Sequence, residues 1–175
     1  MRRLIALAFA AACLAAADAA PFVLTSPTLT ENGLVPLQHV YDGCNGLNRS
    51  PALSWSGAPA GTKSFAVTVF DPDAPHPGGW WHWLAFDIPA DAKGLAENAS
   101  DALPRGTVQS RNDFGTASYG GPCPPPGRPH RYVFTVYALK PDKLALTAND
   151  PPAKVDAAIR KNAIAQASIT AKYGR

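Results

Sequence analysis

Ser64-Phe-Ala-Val-Thr-Val-Phe70 is a run of β-branched and aromatic residues. It leads into Asp71-Pro-Asp-Ala-Pro-His-Pro-Gly-Gly79 and then Trp80-Trp-His-Trp-Leu-Ala-Phe-Asp-Ile88. The first and last of these segments have the composition of strands. The segment between them holds three prolines and two glycines and can only be a loop. His130-Arg-Tyr-Val-Phe-Thr-Val-Tyr-Ala-Leu139 is a third strong strand. Working outward, residues 22–56 are short apolar stretches broken by Pro27, Gly33, Pro36, Gly43 and Gly46, read as short strands and loops. Gly57–Gly61 reads as a turn, 89–106 as irregular, Thr107–Arg111 as a short strand and Asn112–Pro129 as a Gly/Pro loop. Near the end, Asp150 can cap a helix with Pro151 at its first position. Val155, Ile159, Ala163 and Ile164 recur at helical spacing, which predicts a helix from about Pro152 to Lys172 with Lys154, Arg160 and Lys161 toward water. Strands closed by one helix predict a mainly β protein: an antiparallel β-sandwich with a C-terminal α-helix.

Composition supports one folded unit. The chain has 175 residues, 46% of them hydrophobic, which excludes wholesale disorder, and its 18 prolines and 14 glycines suit many short strands. A formal net charge of +3 is too weak to argue for nucleic acid or an anionic membrane.

Met1-Arg-Arg3, the apolar run Leu4–Ala17 and the small residues around Ala17-Asp-Ala19 form an export-signal pattern, with cleavage expected after Ala19. The run is short for a membrane anchor, and Ala10-Ala-Ala12 before Cys13 lacks the large aliphatic residue of a lipoprotein signal. Residues 20–175 are then a single domain in the periplasm or outside the cell. Cys44 and Cys123 remain, and in an oxidising compartment they are expected to pair. In the chain-entropy account so long a loop stabilises by roughly 4 kcal/mol. Two buried free thiols are the alternative reading.

Strand alternation places the polar residues. Phe65, Val67 and Val69 share a face, with Asp71 next in phase; His82 is in phase with Leu84 and Phe86; His130 is in phase with Tyr132, Phe134 and Val136. An Asp and two His thus extend apolar faces at strand ends, where a polar group is either paired or lines a cavity. Two imidazoles can bind an anion, a carboxylate can orient a ring and accept from a ligand ammonium, and Trp80, Trp83 and Tyr132 can supply an aromatic wall. Trp81 and Trp83 alternate with His82 and read as core. The parts suit a phosphate ester bearing an amine. Other chemistries fit less well. His82, His130 and Asp71 are metal-ligand types, but nothing in their spacing sets a coordination geometry. Ser118 lacks the preceding glycine of a nucleophile elbow. Asp71 and Asp73 diverge at a strand end, and no Gly-rich phosphate loop opens a helix.

Asp71-Pro-Asp-Ala-Pro75, Trp80-Trp-His-Trp83, Gly120-Gly-Pro-Cys-Pro-Pro125 and His130-Arg-Tyr132 together resemble the phosphatidylethanolamine-binding protein family, also called Raf kinase inhibitor-like proteins. Asn112-Asp-Phe-Gly115 and Ser50-Pro-Ala-Leu-Ser-Trp55 resemble its bacterial branch, and the signal with two cysteines its periplasmic subgroup. The resemblance implies a β-sandwich with a small pocket for phosphate, acetate or phosphorylethanolamine-like groups, and no catalysis and no cofactor. By motif, Asp71, Pro75, His82, Gly121, Pro122, His130 and Tyr132 match pocket positions, and Trp80 matches the aromatic at the mouth. Cys123 interrupts the Gly-Pro-Pro element, so both Pro122 and Pro124 are candidates for that position. Eukaryotic relatives act as kinase-pathway modulators, protease inhibitors or floral regulators, which leaves a protein partner as the alternative function. The sequence also admits a homodimer.

Overall fold

A computed structural model describes residues 20–175, so the export-signal reading lies outside the described residues. Among the described residues, eight strands form two antiparallel sheets. The smaller has the order β1 (Val23–Thr25), β2 (Leu53–Ser56), β5 (Gly94–Leu95). The larger has the order β6 (Val108–Gln109), β4 (Trp80–Pro89), β3 (Ser64–Asp71), β7 (His130–Leu139), β8 (Ala163–Tyr173). β3 is central and almost wholly buried, which explains its unbroken apolar run: both faces of the sheet are covered. On one face Val67, Val69, Trp83, Phe134 and Val136 meet Leu24, Leu53 and Trp55 of the small sheet. On the other, Ala66, Leu84, Phe86 and Tyr137 meet Val155 and Ile159 of the helix α1 (Pro152–Asn162). Each face is a separate apolar core.

The C-terminal segment corrects the sequence reading. The helix ends at Asn162, and residues expected to continue it form β8, paired with the whole of β7 from His130↔Tyr173 to Leu139↔Ala163. Alanine favours helix in isolation. Here the free edge of β7 offers ten residues of ladder, and Ala165, Ala167, Ile169, Ala171 and Tyr173 recur at period two, turning one face to the inter-sheet core. Tertiary pairing therefore overrides propensity. Asp150 is also not the cap. Pro151 precedes the helix, and the Asp150 carboxylate instead accepts from Thr147 N (2.7 Å) and Lys154 Nζ (2.6 Å).

A β-bulge corrects the phase assigned to His82. Val69 pairs with Trp83 but Phe70 pairs with Trp81, so His82 is an extra residue on β4. Beyond it the faces exchange. Trp83 and Ala85 join the inter-sheet core, while Trp81 and Leu84 face the helix side. His82 is consequently not on the face of Leu84 and Phe86; the bulge turns it toward the end of the inter-sheet layer, beside Tyr132.

Cys44 and Cys123 form a disulfide with Cα atoms 5.7 Å apart. It ties the turn Asp42–Cys44 to the 120–125 segment, as does the hydrogen bond from Tyr41 N to Pro122 O (3.1 Å). No helix of the described residues is long and apolar enough to cross a membrane.

Candidate functional site: a cavity at one end of the large sheet

The C-terminal end of β3 and the N-terminal ends of β4 and β7 lie together at one end of the large sheet. They carry Asp71, Trp80 with His82, and His130 with Tyr132 to a single cavity of about 260 Å³. Loop residues Ala74, Pro75, His76, Phe114, Cys123, Pro124 and Pro125 close it.

Each imidazole is held by one nitrogen. His130 Nδ1 donates to Asp71 Oδ2 at 2.8 Å, and His82 Nδ1 donates to Gly120 O at 2.6 Å. Both Nε2 atoms are left without a protein partner among the described residues. This matters chemically, because the bond made by one ring nitrogen sets the state of the other. With Nδ1 protonated, Nε2 is an acceptor in the neutral ring and a donor in the charged one. Burial pushes the His82 pKa down, opposed by the Gly120 hydrogen bond and the charge of Asp71. His82 is therefore neutral at pH 7, and an anion bound at Nε2 would draw a proton onto it.

Asp71 is buried, and both its oxygens are engaged: Oδ1 accepts from Asp73 N (2.8 Å) and Oδ2 from His130. It orients a ring and sets a local negative charge. The Asp73 carboxylate points elsewhere, to Arg131 Nε (2.8 Å) and Arg128 (3.3 Å). The Arg131 hydrogen bond, ahead of the two guanidinium charges, holds it well below the usual carboxylate range. Tyr132 Oη is buried beside Asp71 with no hydrogen-bond partner at proper geometry. Burial first, and Asp71 second, push its phenol pKa up, so it remains an O–H donor.

The 112–120 loop is fitted to the bulge. The carbonyl of His82, taken out of the ladder by the bulge, accepts from Gly120 N (2.9 Å) and Asn112 Nδ2 (3.2 Å). Asp113 Oδ2 accepts from Trp81 N at 2.6 Å. These bonds place Phe114 edge-on to His82 (centroids 5.3 Å) and Trp80 (5.5 Å), and stacked on Tyr41 (4.9 Å).

A family model for phosphatidylethanolamine-binding protein matches residues 25–174. The chain belongs to that family. It is 48% identical over 164 residues to the UPF0098 protein YbcL of Escherichia coli K12, covering 90% of each chain. The crystal structure of E. coli YbcL, described as a new member of the mammalian PEBP family, superposes with a TM-score of 0.86 over 89% of this chain and 99% of that one. The UPF0098 protein YbhB of E. coli K12 is 42% identical over 155 residues, 86% of this chain and 98% of the relative. A Mycobacterium tuberculosis relative, 35% identical over 157 residues (89% of this chain and 73% of that one), is named a putative lipoprotein, LppC.

Of the family-pattern residues, Asp71, Pro75, Trp80, His82, His130 and Tyr132 line the cavity, whereas Gly121 and Pro122 do not. Gly121 lies against the 39–41 backbone. A Cβ there would sit 2.2 Å from His39 O and 2.5 Å from Tyr41 N, and its own N–H donates to Asn48 Oδ1 at 2.7 Å. Of the two proline candidates it is Pro124, with Pro125, that faces the cavity. Trp83 does not reach the cavity; it is fully buried, with Nε1 donating to Gln109 Oε1. Phe114 and His76 were not anticipated. Both sit in Gly/Pro loops, where no periodicity assigns a direction to a side chain.

Proposed function

We propose that this protein is a non-catalytic binding protein whose cavity takes a phosphate or carboxylate, free or as part of a phosphorylethanolamine-like head group, in the periplasm or outside the cell. The observation that carries this reading is the paired imidazoles in the cavity lining, each with Nδ1 committed and Nε2 without a protein partner among the described residues. The groups offered to the anion are the Nε2 atoms of His82 and His130, each an acceptor in the neutral ring and a donor in the charged one. Charge-assisted bonds of this kind are about twice as strong as neutral ones. Rigid proline walls keep the ordering cost of binding low.

The test is calorimetric titration with phosphate, sulfate and O-phosphorylethanolamine from pH 5.5 to 8. Sulfate keeps its charge across this range, so its affinity reports the protein alone. Because His82 is neutral at pH 7, affinity should rise as pH falls. His130→Ala should weaken binding about tenfold or more, the loss of one charge-assisted bond. Unchanged affinity in His130→Ala refutes the assignment. A second reading, an interaction protein such as a protease or signalling inhibitor, is favoured by one feature. Leu37 and Leu47, 62% and 61% exposed, lie side by side (Leu47 N to Leu37 O, 3.2 Å) on the loop that the disulfide ties to the cavity wall. Capture of a periplasmic protein that phosphate displaces would support that reading.

A further inference from the structure

A folded chain is cut by a protease where a side chain the enzyme selects stands in solvent and the backbone around it can be drawn out at little cost. Serine endoproteases of the trypsin type select Arg or Lys through an aspartate in the specificity pocket. From Arg49 to Lys172, all but one of the basic residues are shielded by the fold. Arg131 and Lys172 lie within β7 and β8, and Lys154, Arg160 and Lys161 within α1. Arg49, Lys63, Arg111 and Lys143 are followed by Ser50, Ser64, Asn112 and Leu144, all buried. Lys93 leads into β5, and its carbonyl accepts from Trp55 N (2.9 Å). Arg128 and Lys140 precede prolines, which lack the N–H and restrict the residue before them, so those bonds resist such enzymes.

Arg105 is the exception. It lies in Leu103-Pro-Arg-Gly-Thr107, between the short helical turn Ala99–Asp101 and β6, and both Arg105 and Gly106 are exposed. Gly106, at φ +92° with open space where a Cβ would stand, lets the chain reverse there. The turn is closed by Thr107 N donating to Pro104 O (3.1 Å). No other backbone hydrogen bond holds residues 103–106 among the described residues. Opening that one bond lets the segment extend into a protease cleft without unpairing a strand. The turn also narrows the class of enzyme. Its one large apolar side chain, Leu103, precedes Pro104, so an enzyme that selects apolar residues finds no bond to cut after it.

We propose that Arg105–Gly106 is a processing site for a trypsin-type serine endoprotease, and that its product is a two-chain molecule that stays assembled. In the cut, the Arg105 acyl group passes to the enzyme's serine as the Gly106 nitrogen takes up a proton and leaves; water then releases a free Arg105 carboxylate. The bond lies between Cys44 and Cys123, so the disulfide links the two pieces. β3 of the first piece stays paired with β7 of the second, from Ser64↔Leu139 to Phe70↔Val133. The cavity becomes shared: Asp71 and His82 belong to one piece, His130 and Tyr132 to the other. None of this depends on what the cavity holds.

The experiment is limited digestion of the oxidised protein with a trace of trypsin, read by mass spectrometry and by gels with and without reductant. The first cut should fall after Arg105, giving one band without reductant and two with it. The nicked protein should elute from gel filtration with the intact one. The rate of the first cut should be unchanged by low urea, because only a local turn opens, whereas later cuts should accelerate as urea promotes global unfolding. Arg105→Gln should slow the first cut by about a hundredfold or more, because the pocket loses its charged partner, and should leave the melting temperature unchanged. Arg105→Lys should restore the cut. A first cut elsewhere, a cut at Arg105 whose rate follows global unfolding, or an Arg105→Gln variant nicked at the parent's rate overturns the processing site. Release of either piece without reductant overturns the two-chain product.

Discussion

Gly121→Ala separates two roles that a glycine in the pocket motif can have. If Gly121 lets a ligand approach, alanine there harms binding and little else. The structure instead puts backbone in the space a methyl would occupy: His39 O at 2.2 Å, Tyr41 N at 2.5 Å and Val40 C at 2.7 Å. None of these is a side-chain end that can rotate away, so the 120–123 segment must move off the 39–41 segment. Overpacking of this kind costs about 1–3 kcal/mol. The movement also stretches the bonds from Gly121 N to Asn48 Oδ1 (2.7 Å) and from Tyr41 N to Pro122 O (3.1 Å), at about 1 kcal/mol each. The expected loss is about 3–5 kcal/mol. For a domain of this size, at roughly 2–4 °C per kcal/mol, that lowers Tm by about 10 °C. The assay is thermal unfolding by circular dichroism at pH 7 in buffer free of phosphate, on oxidised protein. A Tm within about 2 °C of the parent, coupled with lost phosphate affinity, would refute the packing argument and place Gly121 against the ligand.

Acid should destabilise the fold through two buried histidines. His39 accepts from Thr28 Oγ1 (2.9 Å) and donates to Arg49 O (2.8 Å), and burial pushes its pKa, like that of His82, below 6.5. The unfolded chain therefore takes up protons first. The stability these rings contribute is complete above about pH 6.5 and is lost as pH falls toward the lowered folded values, at up to about 1.4 kcal/mol per pH unit for each. Urea midpoints between pH 7.5 and 5 should show that slope, and His39→Asn should make it shallower; a flat profile in the parent would refute it. Reducing Cys44–Cys123, which closes 79 residues of separation, should cost roughly 4 kcal/mol and lower Tm by about 10 °C. It should also weaken phosphate binding, because Cys123 lines the cavity. Melting curves with and without dithiothreitol check this, and coincident curves would show that the clip does not constrain the chain.

How much of this was legible in the residues depends on how local the physics is. The three long strands were readable because a buried strand must be apolar and a Pro/Gly loop must interrupt it; β7 coincides with the span expected from His130 to Leu139. The in-phase reading of Asp71 and His130 was also sound, because neither β3 nor β7 carries an irregularity at its cavity end that would move the side chain to the other face. His82 was different. Its strand carries a bulge opposite Val69 and Phe70, an irregularity that depends on the neighbouring loop satisfying the freed carbonyl, and alternation counted along β4 alone cannot reveal it.

The sequence by itself determined the mainly β class, the strands that carry Asp71, His82 and His130, and a family pattern in which those residues belong together. These follow from side-chain chemistry and from periods of two residues. Tertiary structure alone decided that 163–173 leaves the helix to complete a sheet, that Gly121 serves packing, and that Phe114 walls the cavity. Each of those outcomes depends on a partner distant in the chain: the free edge of β7, the 39–41 backbone, and the ring of His82.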